Sequence, residues 1–107
     1  MNNWLGFISL LLFSVLPFSC FAKEYKLILK DHLFYPAEII VPANTKLKLL
    51  IENQDSKPEE FDSFDLNREK VLYPNRSSVI YIGPLSPGRY EFFGEFSPNT
   101  ARGAVLV

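Results

Sequence analysis

The residues in this chain best suited to chemistry are carboxylates. Glu59, Glu60, Asp62, Asp65 and Glu69 crowd one short stretch, answered there only by Arg68 and Lys70, and Glu95 stands apart further along. In extended backbone, successive side chains point to opposite faces. Glu60 and Asp62 therefore share one side while Glu59 goes with Phe61 to the other. Carboxylates gathered without cations repel one another and hold their protons more tightly; a bound cation relieves that repulsion. Oxygen donors suit hard cations and disfavour Cu(I), which takes sulfur. The same stretch also reads as an ordinary solvated loop, with Glu69 and Lys70 meeting at the surface for little gain. Glu60, Glu69 and Glu95 are the first candidate ligands, followed by Asp62 and Glu59. His32, the single histidine, either completes a mixed set for iron or Cu(II) or caps a turn.

Composition removes several other chemistries. With 11 basic and 12 acidic residues and a net charge of -1, the chain offers no basic surface for nucleic acid. It contains no Gly-rich phosphate loop and no internal repeat. Its one methionine and one cysteine, Met1 and Cys20, both lie in an N-terminal segment that reads as a leader.

Residues 1–22 carry no charged side chain. The apolar run from Leu5 to Leu16 has the length of a secretory h-region and is short for a bilayer span. Small residues in Ser19-Cys20-Phe21-Ala22 then precede Lys23, as at a signal-peptide cleavage site. The expectation is a signal peptide over 1–22 and one exported, periplasmic domain over 23–107, with no membrane span and no thiol in the mature form. The alternative is lipidation at Cys20, although Pro17-Phe18-Ser19 departs from the small aliphatic run of bacterial lipoprotein leaders.

The domain must position its carboxylates with strands. Tyr25, Leu27 and Leu29 alternate through 24–30, and Leu47, Leu49 and Ile51 through 45–52. A shorter extended segment runs over 34–36 and on through 38–41, another falls at 71–73, and further strands at 77–82, 89–93 and 104–107. Turn clusters occur at Pro42-Ala43-Asn44, Pro74-Asn75 and Gly83 to Gly88. No window has helical spacing. Residues 53–70 show no period and are expected to form a long loop that meets the 94–103 loop at one end of the molecule. Six or seven short strands at this spacing predict an all-β Greek-key sandwich.

Three segments carry a resemblance to a known family. Val41-Pro42-Ala43-Asn44-Thr45, Ile51-Glu52-Asn53-Gln54-Asp55 and Leu85-Ser86-Pro87-Gly88-Arg89-Tyr90-Glu91-Phe92 resemble the cupredoxin pattern, and the match extends over essentially the whole mature chain. Blue-copper members bind copper through two His, one Cys and an axial Met. The resemblance puts Glu59 at the first His, Gly94 at the Cys, Ser97 at the second His and Ala101 at the Met, so a blue site is ruled out. Glu59-Glu60-Phe61-Asp62-Ser63, Arg68-Glu69-Lys70-Val71, Phe93-Gly94-Glu95-Phe96 and Thr100 to Gly103 look like a narrower branch, the EfeO- and FtrB-type domains of periplasmic iron uptake. That likeness implies an iron-binding, or copper-binding, accessory of an iron permease, with Fe(II) oxidation as the reaction if there is one. This sequence departs from the branch at Ser97, where a His is usual. A metal-free module that docks on a permease or partner protein is the rival reading. A lipid-anchored copper chaperone is a weaker third, because the soft ligands are too few.

Overall fold

The computed structural model describes residues 22–107; the expected signal peptide, apart from Ala22, and the lipidation expectation at Cys20 lie outside them. Period-two alternation becomes strands wherever it was read. In chain order these are β1 (Lys23–Lys30), β2 (Leu33–Tyr35), β3 (Glu38–Ile40), β4 (Leu47–Asn53), β5 (Glu59–Ser63), β6 (Arg68–Leu72), β7 (Arg76–Ile82), β8 (Arg89–Gly94) and β9 (Arg102–Leu106). One sheet runs β2-β1-β4-β7 and the other β3-β9-β8-β5-β6. Two pairings, β1 with β4 and β3 with β9, are parallel.

The two sheets close over a core that the alternation foretold. Leu27, Leu29, Leu47, Leu49, Ile51 and Ile82 face Phe61, Leu72, Phe92 and Val105, all essentially without solvent contact. Removing each such side chain from water stabilises the fold by roughly 1.5–3 kcal/mol. Phe92 organises the centre, stacked on Phe61 at 5.0 Å and edge-on to Phe34 at 5.3 Å.

Residues 53–70 are not the long loop expected. β5 and β6 form an antiparallel hairpin, with Glu59 opposite Leu72 and Ser63 opposite Arg68. The pattern hid it because the inward face of β5 reads Glu59, Phe61, Ser63, so two of its three inward residues are polar. Each polar group is satisfied internally: Ser63 Oγ donates to Glu91 O at 2.7 Å and accepts the Leu66 N–H at 3.0 Å. Asp65 also ties the hairpin tip to β8, its Oδ2 accepting the Glu91 N–H at 2.9 Å. The described residues thus contain nine strands rather than six or seven.

At one end, the β1–β2 turn is Asp31-His32, both with positive φ of 52° and 59°, as a two-residue hairpin loop of the primed type requires. The Asp55 carboxylate accepts both turn N–H groups, from Asp31 at 2.7 Å and His32 at 3.1 Å. Asn53, fully buried, holds Asp55 in place: its Oδ1 accepts the Asp55 N–H at 2.9 Å. The amide nitrogen of Asn53 donates to Lys57 O and Leu72 O at 2.9 and 3.0 Å. The Asn53-Gln54-Asp55 motif is therefore the device that shapes this end of the sandwich.

Candidate functional site

The six candidate ligands separate into three places. Glu60, Asp62, Glu69 and Glu95 gather on the outer face of the five-stranded sheet. Asp62 pairs in register with Glu69 on one side and with Phe93 on the other. The Glu95 N–H donates to Glu60 O at 2.9 Å, which extends the β8 pairing by a step and brings Glu95 alongside β5. The expectation of convergence between two loops at one end is corrected to convergence by strand register on a sheet face, since the 53–70 stretch is a hairpin. Glu60 and Asp62 share this face, and Glu59 with Phe61 turns inward, as alternation required.

The electrostatics of this face are unbalanced. Glu95 holds its proton more tightly than an ordinary glutamate. The causes are partial desolvation first, then a hydrogen bond with Asp62 and the negative charges of Asp62, Glu60 and Glu69. Asp62 is buried while Glu95 is exposed. Like charges directly opposite on neighbouring strands destabilise a sheet. The nearby Arg68 does not offset them: its guanidinium donates to Tyr81 O and Asn67 O at 3.0 and 2.9 Å. The ion pairs among the described residues lie elsewhere, such as Lys26–Glu52, Lys48–Glu24 and Arg89–Glu38. Among the described residues no three His, Cys, Asp or Glu side chains are placed to hold a metal ion as they stand.

Glu59 occupies a different environment. It is 2% exposed, and its Oε1 accepts the N–H of Glu60 at 2.9 Å and of Phe96 at 2.8 Å. A Cβ built on Gly94 would lie 2.6 Å from Glu59 Cδ and 2.8 Å from the Ala101 side chain. Only glycine leaves room there. Gly94 N donates to Ala101 O at 2.7 Å, Ser97 N to Gly94 O at 3.1 Å and Ala101 N to Ser97 O at 2.9 Å. Glu59, Gly94, Ser97 and Ala101 therefore meet at one end of the sandwich. His32 reaches this end too, its Nδ1 3.2 Å from Ser97 Oγ and 3.9 Å from Asp55 Oδ2. Its ring is not among the groups acting on Glu95. The sequence reading understated Asn53, Asp55 and Gly94. The pairing of an added carboxylate at 59 with a missing side chain at 94 was the signal that could have found the last of these.

Two sheets with this topology, and four positions meeting beside the loop after β8, define the cupredoxin type of β-sandwich. A family model described as a cupredoxin-like domain matches residues 6–107, and the chain belongs to that family. It is 48% identical over 84 residues to the uncharacterized protein RP394 of Rickettsia prowazekii (strain Madrid E), covering 78% of this chain and 67% of that one. Among solved structures it is similar to auracyanin A, a "blue" copper protein from Chloroflexus aurantiacus, with TM-score 0.70, 10% identity and coverage of 81% and 99% of the two chains. It is also similar to amicyanin from Paracoccus versutus, with TM-score 0.61, 17% identity and coverage of 88% and 86%. At such identities the likeness carries the fold alone.

Copper of the blue type does not fit these residues. A thiolate is indispensable to that centre, and glycine stands at the position the resemblance assigns to it. Among the described residues there is no cysteine. The space is taken by a carboxylate already committed to two backbone N–H groups.

Proposed function

We propose that this chain is an exported, periplasmic metal-handling accessory of a high-affinity iron-uptake system. It takes iron, and less readily Cu(II), as cargo on the outer face of the five-stranded sheet. The observation that carries this reading is the set Glu60, Asp62, Glu69 and Glu95, brought together in register, none of them in an ion pair among the described residues, with Glu95 holding its proton more tightly than an ordinary glutamate. A hard cation bound by one or two carboxylates while keeping several waters is held loosely, which suits cargo to be passed to a permease. Oxidation of Fe(II) needs an electron acceptor, and the described residues supply no thiolate and only one imidazole. The reading is therefore binding without catalysis by the chain alone.

Calorimetric titration of the leader-free domain with anaerobic Fe(II), Mn(II) and Cu(II) tests it. Saturable binding of one cation, lost in Glu60→Gln combined with Glu95→Gln, is the expected result. A flat titration at micromolar metal ends the cargo reading. The second reading, a metal-free module docking on a permease or partner, is favoured by one observation: no three candidate ligands among the described residues are arranged around a common point. The mass of the mature protein checks export, with Lys23 as the first residue expected and a lipid adduct on Cys20 the contrary outcome.

A further inference from the structure

The end of the sandwich where residues 94–101 fold back has to be held shut. In a copper-loaded relative, metal bonds tie the strand residue and the loop residues together. Here the residue types cannot bind that metal, yet the loop is closed. The contacts say how. Glu59 Oε1 accepts N–H groups from Glu60, beside it on β5, and from Phe96, inside the loop. Gly94, by having no side chain, leaves the carboxylate the space it fills. Ser97 adds a clip to the β1–β2 turn through His32.

We infer that Glu59 is a positioning residue that takes the place of the metal: an internal carboxyl group that closes the 94–101 loop and, through Glu60 and Phe96, sets Glu95 beside Glu60 on the acidic face. The loss of the copper ligands is then a replacement. The substitutions at 59 and 94 are reciprocal, one adding a carboxylate and the other clearing room for it. Two backbone N–H groups from different segments converge on one carboxyl oxygen, so a single buried glutamate can fix both without a cation. The loop-closing role stands without any metal binding; the consequence for Glu95 rests on the cargo reading proposed above.

Amide hydrogen exchange on the leader-free domain tests the first part. Glu59→Ala should speed exchange at Phe96 and its loop neighbours by roughly 10- to 100-fold while amides of β4 and β7 keep the parent rates. Glu59→Gln keeps an acceptor oxygen but puts an amide NH2 in the same tight space, and should fall in between. Chelator should leave the parent loop unchanged. Parent-like loop exchange in Glu59→Ala, or loop opening of the parent on adding chelator, overturns the inference. If Glu59→Ala does not fold, Gly94→Ala, which crowds the carboxylate, must open the loop selectively. Uniform acceleration across both sheets in Gly94→Ala and Glu59→Gln makes Glu59 a core residue only and also overturns it. Titration with whichever of anaerobic Fe(II), Mn(II) and Cu(II) the parent binds reads the second part. Glu59→Ala should weaken binding by about tenfold although Glu59 touches no cargo, while Glu60→Gln weakens binding with the loop still closed. A parent that binds none of Fe(II), Mn(II) and Cu(II) refutes the cargo reading and leaves the exchange result to decide the role of Glu59.

Discussion

If Glu59 stands in for copper, returning the four ligands should return the metal. The perturbation is Glu59→His, Gly94→Cys, Ser97→His and Ala101→Met made together. Without metal the variant loses both backbone bonds to the carboxylate, at 2.8 and 2.9 Å. At up to about 1.5 kcal/mol for each hydrogen bond, the loss is about 3 kcal/mol. Copper at a thousandfold over its dissociation constant contributes about 4 kcal/mol, enough to restore the parent stability. Urea unfolding with and without Cu(II), together with the visible absorption of a thiolate–Cu(II) centre, measures both quantities. Gly94→Cys alone is the control. Its side chain collides with the Glu59 carboxyl group, 2.6 Å from an added Cβ, so it should lose about 1–3 kcal/mol by overpacking and give no absorption. A fourfold variant that folds but shows no thiolate–copper band would refute the equivalence of these positions, and with it the reciprocal account of residues 59 and 94.

Two further outcomes follow from the geometry. Glu95 binds its proton more tightly in the folded protein than in the unfolded chain, so its contribution is most favourable below the ordinary carboxylate value of 4.5 and is lost as pH rises through its folded pKa. Asp62→Asn removes the hydrogen bond and the nearest negative charge; its stability relative to the parent should therefore improve from pH 4 to pH 7, and a pH-independent difference in urea midpoints counts against the pairing. Asn53→Ala leaves the Asp55 N–H, Lys57 O and Leu72 O without their partner. At about 1 kcal/mol for each bond the loss should be about 3 kcal/mol by urea unfolding, and a loss under about 1 kcal/mol contradicts the role given to the motif.

The sandwich was legible wherever one strand face is apolar throughout. Leu27 and Leu29 in β1, and Leu47, Leu49 and Ile51 in β4, announce both period and direction. β5 was illegible for the opposite reason: Glu59 and Ser63 point inward and are satisfied by partners far along the chain, at Phe96 and Glu91. Periodicity cannot register a hydrogen bond between segments that are not neighbours in sequence. The acidic residues stand out in the sequence as a group, but their arrangement depends on the pairing of Asp62 with Glu69 and Phe93, which follows from the hairpin the pattern concealed. Glu59 had been grouped with them by proximity in sequence. Alternation had already placed it on the other face, where it serves the loop.

The pairing of β1 has a bearing on biogenesis. Its first residue, Lys23, already stands in register with Leu47, and the Lys23 N–H donates to Lys46 O at 3.3 Å. No spacer separates Ala22 from hydrogen-bonded sheet. A peptidase that severs the chain after Ala22 needs extended, accessible backbone on both sides of the bond, and the finished sheet withholds one of them. If the chain is exported as proposed above, trimming after Ala22 comes first, while the domain is still emerging, and folding second. On that reading a chain that folded early would keep its N-terminal segment.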